Sequence, residues 1–544
     1  MPTRAPIHPL RRRLPALCAA ALGLAALTGS PAAAQLATYR AAIFDEGNIA
    51  FFGPSTDDRF AFALATGDFD GDGAEDLATG IPFDDNFGAL YPNSGIVIVR
   101  YGVPGTGLAP GLATNVLTQA YGGSPDPPEN SDHFGWALAA GDFDGDGSED
   151  LAVGGRLDGP ANAGAVQVYY GSPSGLLLTG VQLFHQGTAG ISGDDEGDDL
   201  FGTALAVGDF DADGFADLAI GIPGEDDNFI SFDNGRIVTL YGSVTGLSAA
   251  RSQQFSQDVP PEMLGSSEDF DEFGAALAAG DFDGDGFTDL AIGVPGENTE
   301  GGRVAVVFGS ASGLTAVDNE SWDQDTAGVA DDREDRDDFG SALAAGDLDG
   351  DGFDDLAIGV PNEDLDTASG PMTDAGAVHV LRGDAAGLTT TGASFWTQDS
   401  AGIFEAAGAG DHFGAALAFG DFAHDGWSDL VVGAWGETGA VGSSEGVVHV
   451  IQSDPVFGGL AAIHNQIFIQ GLAGLPGQTQ ADEQFGWAVT TADFDGSGHA
   501  DLVIGAPQDN AVVPGAGAEW VLYGSLFADG FESGNASRWS ATVP

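Results

Sequence analysis

The chain has 544 residues, and its 83 acidic residues against 15 basic ones, all of them arginine, give a formal net charge of −68. This balance excludes a protein that binds nucleic acid or another polyanion through a basic groove. High net charge can also indicate disorder, but 43% of the residues are hydrophobic and 35 are phenylalanine, which favours a packed core.

The first residues have the layout of a secretory signal peptide. Arg4, Arg11, Arg12 and Arg13 form a basic start, and an apolar stretch rich in alanine and leucine occupies residues 14–27. Three alanines at 32–34 then give a small-residue cleavage site. The apolar stretch is too short to span a bilayer stably. We therefore predict that residues 1–34 are removed and that the protein is secreted or held at the cell surface, with the periplasm as the alternative compartment.

The mature chain would have no cysteine, because Cys18 lies within the predicted signal peptide. Export would therefore bring no disulfides, and stability must come from core burial and bound metal. Removing residues 1–34 takes away four arginines and no acid, which moves the formal charge from −68 to −72. No later stretch approaches the length of a transmembrane helix, so we expect no transmembrane segment.

Internal repeats decide the predicted fold. The segment 134–147, FGWALAAGDFDGDG, recurs with small changes along the chain. Its first loop aspartate returns at spacings of 74, 67, 72, 66, 74 and 72 residues, at Asp68, Asp142, Asp209, Asp281, Asp347, Asp421 and Asp493. Seven such units fill residues 35–525, which leaves no room for a second large domain, and residues 526–544 form a short C-terminal tail.

The fourth unit shows the predicted content of each repeat. Residues 273–279 are small and predict a strand A, and 289–294 form an apolar strand B. Residues 302–308 predict strand C, and an outer strand D is expected near 321–324 after a glycine–serine turn. Four antiparallel strands repeated radially make a propeller, so the predicted fold class is an all-β, seven-bladed β-propeller.

The two ends of the chain predict how the ring closes. Units one to six each have a D-like strand, for example near 115–119 or 394–398, but the seventh strand C, 519–523, is followed only by the tail. Residues 37–44 form a strand-like segment before the first strand A. We predict that this segment supplies the outer strand of blade seven, because its loss would expose an open sheet edge.

Each unit carries an aspartate loop between strands A and B, with the pattern D-x-D-x-D-G-x-x-D in its complete form. Ca²⁺ is a hard cation that takes six to eight oxygen ligands. Aspartates at positions 1, 3 and 5 can point to one centre, glycine at position 6 permits the turn, and the carbonyl of position 7 and the aspartate of position 9 add oxygens. An EF-hand shares the opening spacing but needs flanking helices, whereas strands flank these loops.

Five loops are complete and two are degraded, because Ala423 replaces the position 3 ligand of loop 421–429 and Ser497 replaces the position 5 ligand of loop 493–501. We predict about five full Ca²⁺ sites, weak or absent binding in the sixth loop and reduced affinity in the seventh. Near-identical closed shells leave no open position, so the ions would be structural rather than catalytic. The predicted ligands are Asp68, Asp70, Asp72, Ala74 and Asp76 (68–76); Asp142, Asp144, Asp146, Ser148 and Asp150 (142–150); Asp209, Asp211, Asp213, Phe215 and Asp217 (209–217); Asp281, Asp283, Asp285, Phe287 and Asp289 (281–289); Asp347, Asp349, Asp351, Phe353 and Asp355 (347–355); and Asp493, Asp495, Ser497, His499 and Asp501 (493–501).

The repeat resembles the FG-GAP repeat of the integrin α-subunit head and its secreted bacterial relatives. The resemblance is carried by Phe-Gly, the aspartate loop and the following Asp-Leu-Ala-Ile-Gly-x-Pro, and it covers about residues 37–525. The first unit departs from it, with Phe60-Ala61 in place of Phe-Gly. The resemblance implies a seven-bladed propeller that binds Ca²⁺ on the face opposite the ligand site.

Antiparallel strand order places the aspartate loops and C–D turns on one face and the B–C and D–A loops on the other, which we call the loop face. Variable loops on a rigid scaffold are the usual place for recognition. We therefore hypothesise that the loop face binds a protein or glycan ligand, and the alternative is that its loops are only solvated connections. The long, dissimilar loops are 83–94, 121–132, 225–234, 326–337 and 362–374.

Two motifs have an ordinary structural interpretation. Arg382-Gly383-Asp384 matches a cell-adhesion tripeptide, but it occupies the register of the C–D turn that holds Gly242 in unit three, which indicates chance. His133 and His412 both precede Phe-Gly, where other units carry different polar residues, so we interpret them as framework substitutions. No zinc-protease, phosphate-loop or dinucleotide motif is present.

We therefore expect a secreted, monomeric, calcium-binding propeller that acts as a non-enzymatic binding or adhesion module. A propeller-type extracellular hydrolase or lyase and a purely structural surface component are the alternatives. If the chain is an enzyme, a few acid and base residues should converge in one deep pocket on the loop face. If it is a binding module, that face should form a broad, shallow surface.

Overall fold

The computed structural model describes residues 41–45, 54–85, 91–108, 114–119, 124–226, 232–257, 268–297, 301–331, 333–367, 370–439, 444–462, 465–471, 475–510 and 513–524. The predicted signal peptide and the tail 526–544 lie outside the described residues. Within the described residues, no helix combines the length and the apolar character that crossing a bilayer requires.

The chain enters with β1 (Ala41–Phe44) and then forms the blades in sequence order. Blade one contains β2 (Ala63–Gly67), β3 (Asp76–Ile81), β4 (Ile96–Arg100) and β5 (Thr114–Leu117). Blade two contains β6 (Phe134–Gly141), β7 (Asp150–Gly155), β8 (Ala165–Tyr169) and β9 (Gln182–Phe184), with a 3-10 turn at Pro160–Asn162. Blade three contains β10 (Leu205–Gly208), β11 (Asp217–Ile222), β12 (Arg236–Tyr241) and β13 (Ser248–Phe255). Blade four contains β14 (Leu277–Gly280), β15 (Asp289–Val294), β16 (Arg303–Phe308) and β17 (Thr315–Trp322).

The later blades add two short hairpins to the same plan. Blade five contains β18 (Ala342–Gly346), β19 (Asp355–Val360), the hairpin β20 (Leu365–Thr367) and β21 (Gly370–Met372), β22 (Ala377–Asp384) and β23 (Gly387–Trp396). Blade six contains β24 (Ala416–Gly420), β25 (Asp429–Ala434), β26 (Val447–Ile451), the hairpin β27 (Ser453–Asp454) and β28 (Gly459–Leu460), and β29 (Gln466–Phe468). Blade seven contains β30 (Ala488–Ala492), β31 (Asp501–Ala506) and β32 (Ala518–Leu522). The predicted fold class is confirmed, because seven four-stranded antiparallel sheets form, each with its strands paired in the order A, B, C, D.

Burial explains the composition of the strands. Every strand B, such as β15, is buried along its whole length, because it packs between two neighbouring blades. Each strand A contacts the strand A of both neighbours, for example β2 with β6 and β30, so the small residues of these strands form the innermost ring. The core is divided into apolar clusters between adjacent blades; the cluster between blades three and four includes Phe210 and Phe273.

The ring closes as predicted, with the N-terminal strand in blade seven. β1 pairs antiparallel with β32, from Ala41 opposite Leu522 to Phe44 opposite Glu519. A buried ion pair between Arg100 and Glu519 also joins blades one and seven. Residues 37–40 of the predicted segment lie outside the described residues.

Two predicted strand boundaries in blade four were wrong. Strand A begins at Leu277 rather than at Phe273, because the Phe273 amide donates to the Asn234 carbonyl (3.0 Å) of the preceding blade and Gly274 has a φ of +92°. The Phe-Gly pair therefore connects blades instead of starting the strand. Strand D begins early, at Thr315, because β17 pairs with β16 on both sides of a bulge.

Candidate metal centres and the opposite face

The aspartate loops bring carboxylate oxygens together. In loops one, two and three, one oxygen each from positions 1, 3 and 9 lie within 4.8 Å of one another, and in loops four and five the same holds for positions 1, 3 and 5. Carboxylate oxygens of this kind fit Ca²⁺, which prefers hard oxygen ligands. The groups are Asp68, Asp70 and Asp76; Asp142, Asp144 and Asp150; Asp209, Asp211 and Asp217; Asp281, Asp283 and Asp285; and Asp347, Asp349 and Asp351. Their role as Ca²⁺ ligands, and that of the position 7 carbonyls, remains a prediction.

The loop shape is set by its own carboxylates. In loop four, Asp281 accepts hydrogen bonds from the amides of Asp285 and Gly286, both at 3.1 Å. Asp285 in turn accepts from the amide of Phe287 at 3.0 Å. Gly286 has a φ of +92°, which only glycine adopts readily. These local bonds hold the acidic side chains in a tight loop.

The position 9 aspartate also has a structural role, which the sequence did not suggest. Asp289 is buried and accepts from the Phe282 amide of its own loop at 2.9 Å and from the Gly309 amide of the C–D turn at 2.8 Å. The same two bonds recur in all seven blades, at Asp76, Asp150, Asp217, Asp289, Asp355, Asp429 and Asp501.

Burial raises the pKa of this carboxyl in every blade, for example that of Asp289 to about 7 and that of Asp76 to about 8. Nearby acids of the same loop, such as Asp283, act in the same direction. A bound cation would favour the charged form and oppose this shift. The shift is as large in the degraded loops, where burial raises the pKa of Asp429 and of Asp501 to about 8, so the side-chain oxygens present, and not this shift, distinguish the complete loops.

The degraded loops keep their shape while they lose ligand atoms. In loop six, Asp421 still accepts from the Gly426 amide at 2.8 Å, but Ala423 offers no side-chain oxygen. In loop seven, the Ser497 hydroxyl donates to Asp493 at 3.3 Å. These contacts agree with the predicted loss of affinity, which remains a prediction.

An arginine engages two of the ligands predicted for loop five. Arg382 Nη1 is hydrogen-bonded to Asp355 Oδ2 and lies 3.6 Å from Asp349 Oδ2. Blades one, two, three and seven hold a tyrosine at this register, for example Tyr241. The guanidinium would compete with Ca²⁺ for these carboxylates, which the loop pattern alone did not reveal.

The same contact settles the place of the adhesion-like tripeptide. Arg382 is 9% exposed, and the Gly383 amide donates to Asp355 at 2.9 Å. Both residues are therefore part of the framework of blade five. The tripeptide does not present its arginine to solvent.

The loop face is assembled as predicted from B–C and D–A loops of neighbouring blades. The Phe270 amide, in the D–A loop that enters blade four, donates to the Phe232 carbonyl in the B–C loop of blade three at 2.8 Å. Equivalent bonds join the Ser131 amide to the Pro92 carbonyl at 2.9 Å and the Gly410 amide to the Thr373 carbonyl at 2.9 Å. Parts of the predicted long loops, such as 227–231 and 86–90, lie outside the described residues.

A second set of acids lies beneath the loop face, which sequence reasoning missed. Glu363 accepts from Gln324 Nε2 at 2.5 Å, and Asp337 accepts from the Glu334 amide at 2.6 Å. Burial, and the charge of Asp337 beside it, raise the pKa of Glu363 to about 8. Burial also raises the pKa of Asp337, to about 6.

These carboxylate pairs recur at every blade junction. The first acid of each pair lies two residues before Phe-Gly, or before Phe60-Ala61 in blade one. The second acid lies four residues after the glycine in strand B. This spacing is periodic, so the sequence alone could have revealed the pairs. Arginines partner two of them, with Arg236 3.0 Å from Glu225 and Arg303 3.3 Å from Glu297. The pairs are Asp58–Asp84, Asp132–Asp158, Asp199–Glu225, Asp271–Glu297, Asp337–Glu363, Asp411–Glu437 and Glu483–Asp509.

Fold and loops together define a seven-bladed β-propeller with aspartate loops between strands A and B. The FG-GAP repeat model matches six segments of the chain, residues 60–99, 134–169, 201–240, 273–307, 339–381 and 485–522. The chain belongs to the FG-GAP repeat family, and the resemblance seen in the sequence is confirmed.

Known proteins share this repeat. The chain is 31% identical to integrin alpha-PS2 of Drosophila melanogaster over 46% of its own length and 17% of the integrin. It is 32% identical to phosphatidylinositol-glycan-specific phospholipase D of Rattus norvegicus over 32% of its length and 20% of that protein. The matched regions thus span about a fifth of these relatives. The alignment with a solved structure of the Dos1 propeller covers 88% of this chain and 94% of that structure, at 13% identity and a TM-score of 0.42. A similarity at this level carries no argument about function.

Proposed function

We propose that this chain is a secreted, calcium-stabilised propeller that acts as a non-enzymatic recognition module through its loop face. The observation that carries the proposal is a pair of exposed aromatic side chains on that face. Phe232 and Phe270 are 55% and 56% exposed, and they lie in adjoining B–C and D–A loops. Large apolar side chains that remain exposed next to each other are typical of interaction surfaces.

The backbone beneath these side chains supports a binding surface. Phe232 and Phe270 come from different blades and are joined by the hydrogen bond between their main chains. The loops that carry them are long and differ between blades, whereas the framework below them repeats. A rigid ring that presents variable loops is a common arrangement for recognition.

Ca²⁺ would act in this function as a structural component. The loops lie on the opposite face, and their carboxylates are engaged with the backbone of their own blade. Removing the ions should therefore weaken binding only by destabilising the ring. A hydrolase or lyase remains the alternative, and no specific contact among the described residues favours it.

The test is a binding screen of residues 35–544 against a glycan array and cell-surface proteins, with Ca²⁺ and after treatment with EDTA. Hits should be weakened by Phe232→Ala and Phe270→Ala. The matched control is Phe457→Ala, because Phe457 is 63% exposed but lies in the β27–β28 hairpin on the calcium-loop face. Equal loss in the control, or turnover of a captured glycan, would contradict the proposal.

A further inference from the structure

Aromatic side chains form a continuous crescent at the centre of the loop face. Ring centroids are 4.7 Å apart for Phe62 and Trp136, 5.5 Å for Phe62 and Trp487, and 5.7 Å for Trp487 and Trp435. Phe83 extends the crescent, 5.9 Å from Phe62. We call these five residues, which come from blades six, seven, one and two, the aromatic crescent.

The crescent lies where the innermost strands meet the loop face. Phe62 directly precedes β2 and Trp487 directly precedes β30, and Trp136 is the third residue of β6. The equivalent residues of blades three, four and five are Thr203, Ala275 and Ser341. One side of the innermost ring of strands therefore carries large, partly exposed rings, whereas these positions on the other side, and Ala415 in blade six, carry small residues.

Two arginines accompany the crescent. The Arg59 guanidinium carbon lies 4.4 Å from the centre of the Phe83 ring, and that of Arg156 lies 4.5 Å from the Trp136 ring. The Phe83 and Trp136 rings are 6.1 Å apart, and the His133 ring lies 4.8 Å from Phe83 and 5.8 Å from Trp136. The two guanidinium groups therefore contact one group of packed rings.

These arginines differ from most others in the chain, because neither forms an ion pair with a carboxylate among the described residues. Arg100, Arg236, Arg251, Arg303 and Arg382, by contrast, each contact a carboxylate. Glu272 and Asp198 act on Arg156 only at longer range. In a chain with 83 acids, two arginines without an ion-pair partner among the described residues lie beside one aromatic surface.

We propose that the aromatic crescent, with Arg59 and Arg156, binds a glycan that carries carboxylate groups. This inference deepens the proposed function and rests on it. Sugar rings present flat arrays of polarised C–H groups, which pack on the negative faces of aromatic rings. A sugar carboxylate would pair with a guanidinium through charge-assisted hydrogen bonds.

The negative charge of the whole chain does not oppose this site strongly. The Debye length is about 8 Å at physiological ionic strength, so the aspartate loops on the opposite face are screened from a ligand at the crescent. The short-range contacts with Arg59 and Arg156 are partly desolvated and are screened much less. The acids nearest the crescent belong to the buried pairs Asp58–Asp84 and Asp132–Asp158, and burial raises the pKa of Asp84 and of Asp132 to about 7, which disfavours their charged form. The two guanidinium groups are therefore the charges that a ligand at the crescent would contact.

The experiment uses residues 35–544 in saturating Ca²⁺ and calorimetric titration with a hexamer of uronic acid residues. The same hexamer with methyl-esterified carboxyl groups is the neutral probe. We expect Arg59→Gln and Arg156→Gln each to weaken binding of the acidic hexamer about tenfold and to leave the neutral one unchanged. Trp136→Ala should weaken both by about tenfold or more.

Two control variants keep the test specific. Arg333→Gln removes an arginine that pairs with Asp325 at 3.1 Å, and Phe457→Ala removes an exposed ring on the calcium-loop face. Neither should change binding of the hexamer. Melting temperatures of all variants show whether a loss of binding reflects a loss of fold.

The outcomes separate this inference from the proposed function. Equal affinity for the acidic and neutral hexamers, or no binding of either, overturns the inference. Binding of an acidic peptide at the crescent in place of the hexamer overturns it as well. If glycans or proteins still bind and depend on Phe232 and Phe270, the proposed function stands without it. If nothing binds the loop face, both fail.

Discussion

The two faces of this propeller differ in how they use the repeat. On the calcium-loop face, the amide at position 8 of each loop donates to the carbonyl of the first loop aspartate in the preceding blade, from Glu75 to Asp493 (3.2 Å) around to Ala500 and Asp421 (3.1 Å). On the loop face, the buried carboxylate pairs repeat, and so does the bond from the phenylalanine amide of the Phe-Gly pair to the preceding blade, but the side chains above them change from blade to blade. Sequence is constrained where blades hold each other and is free to vary where a ligand would bind.

The largest expected effect is the removal of Ca²⁺. Extracellular calcium modules bind with a Kd of about 10⁻⁴ to 10⁻³ M. At tenfold excess each site adds roughly 1.4 kcal/mol to the free energy of unfolding, so five independent sites add about 7 kcal/mol. Thermal unfolding in Ca²⁺ and in EDTA, with elemental analysis, measures this. An unchanged melting temperature and no bound metal would show that the aspartate loops do not stabilise the ring through Ca²⁺, and the comparison of a calcium-loop face with a recognition face would fail.

Asp429→Ala tests whether position 9 is structural without metal. Its carboxylate accepts from the amides of Phe422 (3.3 Å) and Ser453 (2.8 Å) in a loop predicted to bind Ca²⁺ weakly or not at all. Leaving two buried donors unpaired should cost about 2–4 kcal/mol. Denaturant unfolding should show the same loss with and without EDTA.

The control is Asp283→Ala, which removes a position 3 ligand from loop four. This variant should lose stability only when Ca²⁺ is present. A calcium-dependent loss in Asp429→Ala would show that position 9 acts mainly through the ion.

The carboxylate pairs predict a pH dependence on the loop-face side. The pKa of Glu363 is raised to about 8, so between its ordinary value near 4.5 and about 8 the folded state holds a proton that the unfolded chain has lost. Stability should therefore fall as pH rises through this window, by up to about 1.4 kcal/mol per pH unit for this group. Glu363→Gln should flatten the curve measured in saturating Ca²⁺.

Asp318→Asn, an acid-to-amide change at an exposed site of β17, serves as the control for this pH profile. Its curve should follow that of the unmodified chain. Parallel curves for Glu363→Gln and the unmodified chain would mean that the pair does not hold the extra proton.

A smaller effect is expected at loop five. Arg382→Tyr introduces the residue that four other blades carry and frees Asp349 and Asp355 from the guanidinium. The Kd of one Ca²⁺ site should fall about tenfold, which corresponds to about 1.4 kcal/mol. Calcium titration by calorimetry measures this, with Arg333→Gln as the control. An unchanged isotherm would show that Arg382 does not compete with the ion.

The smallest effect concerns the exception to the Phe-Gly motif. Ala61 has a φ of +63°, in the region where Gly135 and the other five equivalents lie. Relief of left-handed strain should outweigh the entropy of glycine, so Ala61→Gly should stabilise the chain by about 0.5 kcal/mol. Ala63→Gly, two residues further along in β2, should destabilise it in the same unfolding assay.

The sequence was sufficient for the features that repeat. The seven loops predicted the number of blades, and the apolar run of residues in unit four predicted its strand B at 289–294. The missing strand D of unit seven predicted the closure by β1. Contacts between distant residues were not predictable in this way. Arg382 reaches Asp355 because blade five places them side by side, and Arg59 and Arg156 come together only when blades one and two pack.

Closure by the N-terminal strand also bears on how the protein folds. Among the described strands of the ring, β1 precedes and β32 follows all the others along the chain, so they can pair only after the strands between them have been made. Closing so long a loop is entropically costly and non-local, which slows folding. Until then the incomplete sheet of blade seven has an exposed edge strand, which could accept β1 from a second copy instead. Chain concentration during folding should therefore decide between closed single rings and strand-exchanged oligomers.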